Sequence, residues 1–275
     1  RSTLFPYTTL FRSPYRFAPE ELLPRLKDLY ANPPTVTRTY GLDGDVRVLK
    51  LDRNLNGIVE SGDRVILFFG MRRGGKFYYA LDVTDRADPR LLWKIGPTEL
   101  PGVGETWSPP TLTRVNVPGA TQTSQHFVLI FGGGYDEIQE NFNYTTDAVG
   151  NRIYMVDAET GARLWYAGGP GSVGTPDLLM PEMTNSITGR INVIDINGDN
   201  FADRMYAADL GGRIWRFDIF NGRTPPPFVT GGVFARFGAG DVAGATIADS
   251  RRFYYGPDVS LVQRRGEDPY YAIYM

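Results

Sequence analysis

The chain has 275 residues, and its 29 Lys and Arg against 31 Asp and Glu exclude the strong basic field of a nucleic-acid-binding domain. It has no cysteine and one histidine, His126, which excludes disulfides, thiolate metal sites, cysteine nucleophiles and zinc sites built from several histidines. The 32 glycines, 20 prolines and 13% aromatic residues favour many short strands with tight turns over a helical bundle.

The first forty residues differ in pattern from the rest. Residues 1–13 share no pattern with the remainder of the chain, and we predict that they are a non-native leader. Residues 18–30 begin with a proline and an acidic pair and place leucines near helical spacing, which predicts a short helix within an N-terminal segment, 14–39. From residue 40 the period becomes two, so we predict a β domain over 40–275 that ends inside a strand and is therefore incomplete.

A first candidate cation loop comes after the predicted strand Val46 to Leu51. Oxygen-bearing side chains stand at positions one, three, five and nine of the stretch 52–63, namely Asp52, Asn54, Asn56 and Glu60. Gly57 is at position six and Asp63 at position twelve, as in an EF-hand-type calcium loop. A solvated hairpin loop without metal is the alternative.

A repeat then runs through the chain. The order aromatic, any, apolar, Asp recurs in Tyr79–Asp82, Tyr154–Asp157 and Trp215–Asp218, with glycine turns upstream and downstream and a tryptophan in the next strand. Each repeat contains a strand, a turn, a second strand that ends in Asp, another turn and a third strand. These strands are most of a four-stranded blade, which predicts a β-propeller. A β-sandwich is the rival, but it does not require each sheet to repeat its neighbour.

Two longer segments, 135–150 and 170–184, interrupt this repeat. The first is polar and studded with aromatic residues, and the second is rich in glycine and proline. Loops of this length in a compact domain are usually functional or mobile, so we predict surface loops, either for partner contacts or as variable decoration.

The stretch 195–203, DINGDNFAD, is the stronger candidate cation loop. Side-chain oxygens fall at positions one, three, five and nine, and a main-chain carbonyl at seven completes the order: Asp195, Asn197, Asp199, Phe201 and Asp203. Position twelve is Tyr206, and the following residues read as strand, turn, strand, so this would be a calcium loop within a β protein. The alternative is a metal-free Asp/Asn/Gly turn.

The two loops share a structural context. Each comes after a short apolar strand, closes on an Asp-Arg pair (Asp63-Arg64 and Asp203-Arg204) and runs into another strand. We therefore predict that they occupy equivalent places in two blades.

The glycine- and arginine-rich stretch 70–84, GMRRGGKFYYALDVT, resembles the signature of the PilY1/PilC family of type IV pilus assembly factors, and 195–218 resembles that family's C-terminal domain. The resemblance implies an all-β, modified β-propeller with quinoprotein-like blades. It also implies an exported protein at the cell surface, pilus tip or outer membrane of a Gram-negative bacterium. There it would promote pilus extension against retraction and support adhesion and twitching motility.

The resemblance further implies Ca²⁺ as the cofactor. The family's ligands carry over to Asp195, Asn197, Asp199, the Phe201 carbonyl and Asp203, and a second family segment to Asp52, Asn54, Asn56 and Glu60. Expected partners are the pilus, through pilin or minor pilin, envelope components, and host or abiotic surfaces, with no nucleic acid and no transmembrane segment.

Three functions stay open. The first is a non-enzymatic, calcium-responsive assembly module. The second is a quinoprotein dehydrogenase, because residues 154–165 resemble the blade repeat of those enzymes, although the vicinal cysteines common in them are absent and blade resemblance does not transfer chemistry. The third is a surface adhesin in which calcium is purely structural.

Overall fold

The computed structural model describes residues 17–275 except 32–33, 35–37, 53, 55, 123–125, 142–143, 172–173, 225–226 and 242–243. The predicted leader, residues 1–13, therefore lies outside the described residues.

The described residues form fifteen strands. In chain order they are β1 (Val46–Leu51), β2 (Arg64–Gly70), β3 (Tyr78–Asp82), β4 (Arg90–Ile95), β5 (Thr111–Arg114), β6 (Phe127–Gly132), β7 (Arg152–Asp157), β8 (Arg163–Gly168), β9 (Leu178–Leu179), β10 (Asn192–Ile194), β11 (Arg204–Ala208), β12 (Arg213–Ile219), β13 (Val229–Arg236), β14 (Asp258–Val262) and β15 (Tyr270–Tyr274).

These strands make four sheets in chain order. The first is β1-β2-β3-β4, the second β5-β6-β7-β8-β9, the third β10-β11-β12-β13 and the fourth β14-β15. All neighbours pair antiparallel except β8 and β9, which are parallel. The opening strands of successive sheets contact one another, β1 with β5 and β5 with β10, so the sheets are arranged around an axis as propeller blades.

The predicted N-terminal helix is present but short. Glu20–Arg25 is a 3-10 helix, continued by α1, Leu26–Ala31. Pro24 lies inside the first part, where its missing N–H cannot support an α-helical hydrogen bond. No helix in the described part of the chain is long and apolar enough to cross a membrane.

The repeated tryptophan has a structural role between blades. In the first sheet the register between β3 and β4 shifts at Ala80/Leu81, opposite Trp93, and the second sheet has the same shift at Met155/Val156. Trp93 Nε1 donates to the Ala158 carbonyl of the second sheet at 3.1 Å. A Cβ at Gly161 would lie 2.9 Å from the Trp93 ring, and its φ is +75°, so this turn requires glycine.

The core lies between neighbouring sheets. One cluster fills the space between the first and second sheets and includes Phe68, Phe131 and Tyr154. A second cluster, between the second and third sheets, includes Ile130 and Trp215. The second sheet, which lies between the first and the third, buries both faces this way, and its strand β7 therefore shows no alternation of burial.

The described parts of the interruption, 135–141 and 144–150, are anchored by hydrogen bonds. Asp136 caps the 3-10 helix Glu137–Glu140, and the buried Gln139 donates to Asp147 Oδ1 at 2.6 Å. Asp147 Oδ2 in turn accepts from the Ser186 N–H of the next connection. The segment is thus part of the packing between the second and third sheets.

Candidate metal-binding loops and the axial pocket

The loop 195–203 connects β10 to β11 and is organised by its own side chains. Asp195 accepts backbone N–H groups with both oxygens, from Gly198 at 2.7 Å and Asn200 at 2.7 Å. Asp203 Oδ2 accepts from Ile196 N–H at 2.8 Å and Asn197 N–H at 3.3 Å. Each Asp195 oxygen accepts one of these N–H groups and keeps a second lone pair, so the contacts orient this carboxylate without exhausting it.

Both candidate loops repeat the same internal hydrogen bonds. The N–H at position six donates to the Asp at position one, the N–H at five to the side chain at three, and the N–H at seven to the side chain at five. These bonds are Asn200 to Asp195, Asp199 to Asn197 and Phe201 to Asp199 in the later loop, and Gly57 to Asp52, Asn56 to Asn54 and Ile58 to Asn56 in the earlier one. Position six is left-handed in both, with φ of 82° at Gly57 and 69° at Asn200.

The loops also occupy equivalent places in their sheets. Asp52 comes after a strand whose last residue pairs with Arg64, and Asp195 comes after one whose last residue pairs with Arg204. Asp203 therefore corresponds in place to Asp63, which is buried and accepts the Glu60 N–H at 3.0 Å. The earlier loop is longer by three residues, and it contains Glu60 as an additional carboxylate.

A lysine distinguishes the earlier loop. Lys50 Nζ lies 3.4 Å from Asp52 Oδ2 and donates to the Gly57 carbonyl at 2.9 Å. The amide groups of Asn54 and Asn56 both donate to Glu60 Oε1. Positive and N–H groups of the protein thus already contact the oxygens that a cation would use.

The later loop has no such counter-charge. Among the described residues, no Lys or Arg forms an ion pair with Asp195, Asp199 or Asp203. The residue that corresponds to Lys50, two before the first Asp, is Val193. Within the part of the chain that the structure describes, these three carboxylates, which lie within nine residues, therefore repel one another without an ion pair to a Lys or Arg.

Carboxylates alone do not build a metal site here. Within the described ranges, no three His, Cys, Asp or Glu side chains form a group that would hold a metal ion. A cation in the later loop would therefore also need the Asn197 amide oxygen and the Phe201 main-chain carbonyl. Both are oxygen donors of the kind that Ca²⁺ accepts in flexible sites.

The later loop is attached to the neighbouring sheet. The Phe201 ring lies 4.8 Å from the Arg114 guanidinium and 5.9 Å from the His126 ring, both in the second sheet or next to it. The Ala202 N–H donates to the Arg114 carbonyl at 2.9 Å. His126, the only histidine, thus packs at a strand end against this loop.

A pocket lies at the other end of the opening strands. Segments just before β1 and β5, segments that run into the first residue of β10 and of β14, and Arg72 from the turn after β2 line a cavity of about 660 Å³. We call it the axial pocket. The candidate loops come after β1 and β10, whereas the pocket residues precede them, so the two features are at opposite ends of the propeller axis.

Sequence reasoning located the loop residues but not this pocket. In each loop, side-chain hydrogen bonds connect positions one to six. Position nine is connected to them as well, because Glu60 accepts from the Asn54 amide in the earlier loop and Asp203 accepts from the Asn197 N–H in the later one. The pocket residues come from five separate segments. The only signal in the sequence was the arginine-rich turn of 70–76, which indicates no ligand by itself.

Comparison with known proteins agrees with this architecture. The family model described as the PilY1 beta-propeller domain matches residues 21–228. The type IV pilus biogenesis factor PilY1 of Pseudomonas aeruginosa PAO1 is 31% identical over 159 residues, 58% of this chain and 12% of that protein. A PilY1 homolog of Xylella fastidiosa is 25% identical over 205 residues, 74% of this chain and 14% of that protein.

A solved structure shows the same fold. The crystal structure of the Pseudomonas aeruginosa PilY1 C-terminal domain superimposes with a TM-score of 0.58 at 23% identity, covering 94% of this chain and 47% of that one. The alignments with the Pseudomonas and Xylella relatives span 12% and 14% of their length, so this chain matches a small part of each.

Proposed function

Because the chain belongs to the PilY1 β-propeller family, we propose that it is a calcium-binding regulatory domain of a type IV pilus biogenesis factor and adhesin. In this role it promotes pilus extension against retraction and supports twitching motility and surface attachment. The relatives are named type IV pilus biogenesis factors, which supports the pilus assignment.

The observation that carries the calcium proposal is the conformation shared by the two loops. Two stretches with different sequences, 52–63 and 195–203, make the same three internal hydrogen bonds and place a left-handed residue at the same position. That left-handed sixth residue makes the sharp turn that a calcium loop of this type requires. A plain turn between strands would not need oxygens at alternate positions in both places.

A bound calcium ion would act by neutralising carboxylate charge and by ordering the loop 195–203. Binding relieves the repulsion among Asp195, Asp199 and Asp203 and fixes the loop. Because Phe201 packs on Arg114, ordering of the loop strengthens the contact between the second and third sheets. The propeller that pilus components meet is then more rigid with calcium than without it.

We propose a non-enzymatic module. The blade resemblance of residues 154–165 to quinoprotein enzymes is a likeness of fold, and fold does not carry chemistry. Reduction of a dye on addition of the quinone, calcium and an alcohol would overturn this proposal.

We place the domain outside the cell, at the surface, pilus tip or outer membrane of a Gram-negative bacterium. Its proposed partners are pilin or minor pilin, envelope components, and host or abiotic surfaces. A formal net charge of −2 offers no basic field to nucleic acid.

Calorimetric titration of the purified chain with calcium tests the metal site. We expect a dissociation constant between roughly 10⁻⁶ and 10⁻³ M, as in extracellular modules and weaker sensors. The double substitution Asp195→Asn and Asp199→Asn keeps the hydrogen-bond acceptors but removes two charges, and it should abolish the heat of the later loop. Asp85→Asn is the matched control, because Asp85 accepts a similar turn hydrogen bond from Ala87 at 2.8 Å outside both loops. Equal heats in all three proteins would refute the site.

Counting surface pili distinguishes a regulatory calcium ion from a purely structural one. In cells carrying Asp195→Asn and Asp199→Asn in the full-length protein, we expect fewer extended pili and reduced twitching at unchanged protein level. The adhesin hypothesis predicts instead lower thermal stability in calcium and a normal pilus number.

A further inference from the structure

The axial pocket is a second binding site, and we propose that its ligand is a carbohydrate, a neutral molecule with several hydroxyl groups. This inference does not rest on calcium binding, because the pocket lies at the opposite end of the opening strands from both loops.

The charges around the pocket are nearly balanced. Asp43 pairs with Arg72 at 3.5 Å, and Asp45 lies 4.0 Å from Arg47. These pairs leave Asp258 and Arg190 as opposite charges on the pocket wall, and Arg190 forms no ion pair with any residue that the structure describes. A balanced wall attracts neither a polyanion nor a cation strongly, which argues against phosphates and basic peptides.

The wall instead offers hydrogen-bond donors and acceptors side by side. Arg190 offers N–H donors, the Asn192 amide keeps one N–H besides the one that it donates to the Pro257 carbonyl at 3.2 Å, and Asp258 offers carboxylate oxygens as acceptors. A hydroxyl group both donates and accepts, so a ligand with several hydroxyls matches such a mixture without placing a charge in the pocket.

Aromatic rings on the pocket wall offer contacts for the C–H groups of a sugar ring. Tyr254 and Tyr255 line the pocket, and Tyr255 is 83% exposed. Trp107 forms a fixed wall, because Tyr135 stacks on it at 4.6 Å and its Nε1 donates to Glu105 at 3.0 Å. The Tyr135 ring and the Arg72 guanidinium already pack on Trp107, so the exposed Tyr255 ring is the aromatic face offered to a ligand. The face of an aromatic ring is electron-rich and attracts the partly positive C–H groups that a sugar ring presents beside its hydroxyls.

The backbone at Arg72 points to a functional position. Its φ is 54°, a left-handed conformation that is strained for a residue with a side chain. Thr106 Oγ1 accepts the Arg72 N–H at 3.0 Å, and the guanidinium lies 4.7 Å from the Trp107 ring. The strained turn thus directs one arginine onto the pocket wall, and strain of this kind clusters at binding sites.

The cavity size suits such a ligand. Its volume of about 660 Å³ falls within the range of roughly 300–1,000 Å³ that small-molecule sites occupy. A wall with this many charged groups is unsuited to an apolar ligand, because binding would desolvate them without replacing their hydrogen bonds.

Saturation-transfer NMR on the 275-residue chain tests the proposal. The probes are the methyl glycosides of glucose, galactose, mannose and N-acetylglucosamine at millimolar concentration. We expect transfer to at least one of them, and at least a fivefold smaller signal in Tyr255→Ala and in Arg190→Gln. Both side chains are exposed, so both variants should fold, which circular dichroism verifies.

Tyr30→Ala is the matched control, because Tyr30 is a 94% exposed tyrosine away from the pocket, and its signal should equal that of the unmodified chain. No transfer to any glycoside, or transfer that persists in both pocket variants, would overturn the proposal. Displacement of the glycoside signal by a pentalysine peptide but not by excess free sugar would also overturn it in favour of a basic peptide ligand.

Discussion

Removal of the Lys50 ammonium should strengthen calcium binding by the earlier loop. Lys50 Nζ lies 3.4 Å from Asp52 Oδ2 and also donates to the Gly57 carbonyl, so an incoming ion must displace it. The Lys50 side chain is 39% exposed, and a pair of this kind contributes about 1 kcal/mol at most. The substitution Lys50→Met keeps the length of the side chain and should therefore raise the calcium affinity about fivefold.

The measurement is a calorimetric titration in the Asp195→Asn, Asp199→Asn background, where the earlier loop is the proposed source of heat. Lys94→Met is the control, because Lys94 is 34% exposed and pairs with Glu21 at 2.6 Å, away from both loops. An unchanged or weaker affinity in Lys50→Met would show that the ammonium does not occupy the position of the ion.

Three further outcomes test other parts of the structure. Val193→Lys should weaken calcium binding by the later loop about fivefold in the same titration, because it places an ammonium where Lys50 stands in the earlier one. Burial raises the pKa of Asp209 to about 6, above its unfolded value of 3.8, so its contribution to stability is full below pH 3.8 and is lost as the pH rises through 6. Urea unfolding should therefore show about 1.4 kcal/mol less stability at pH 7.5 than at pH 5 from this group, and Asp209→Asn should lack that difference; equal pH dependence in both proteins would contradict it. Gly102→Ala should lower stability by about 1–3 kcal/mol more than Gly119→Ala, because both have positive φ but only the Gly102 Cβ would meet Arg152, at 3.1 Å; equal losses would assign the whole effect to the backbone.

The blade repeat could be predicted because its signature residues hold neighbouring blades together. Asp157 Oδ1 accepts from the N–H groups of Glu159 and Thr160, which fixes the turn, and Trp93 of the preceding sheet packs on Gly161 in that turn. Asp82 fixes the turn after β3 in a similar way, by accepting the Thr84 N–H at 2.9 Å, so the Asp-turn pattern leaves a period in the sequence. At the next junction the turn glycine, Gly222, lies against Asn116 instead of a tryptophan. The prediction of an all-β propeller with a short N-terminal helix is confirmed, although half of that helix is 3-10 at Pro24.

The ligand order of the two loops could be predicted from the sequence, because a loop that turns every second side chain to one side requires oxygen-bearing residues at alternate positions. The role of Lys50 could not be predicted from that spacing, because it depends on a side chain that reaches across the hairpin to the Gly57 carbonyl. A comparison of the residues two before Asp52 and Asp195 would have shown a lysine against a valine. Calcium occupancy of either loop stays a prediction.

The axial pocket could not be predicted, because radial stacking brings its wall together from distant parts of the chain. Arg72 and Trp107 are 35 residues apart, yet the Thr106 hydroxyl that accepts the Arg72 N–H belongs to the residue before Trp107. No short motif encodes a site whose members meet only after the blades close around the axis. The left-handed φ of Arg72 becomes visible only in the folded chain.

The two proposed sites should act independently, and the reason lies in the opening strands. β1 has six residues and separates Asp45 from Asp52, so at about 3.3 Å per residue the two ends lie about 20 Å apart. Calcium in the later loop would act first on Phe201 and its contact with Arg114, which belongs to the interface between sheets and not to the pocket wall. Glycoside binding should therefore change less than twofold between excess calcium and a chelator, measured by the same NMR signal. A larger change would mean that the packing between the second and third sheets transmits calcium occupancy along the whole length of the blade.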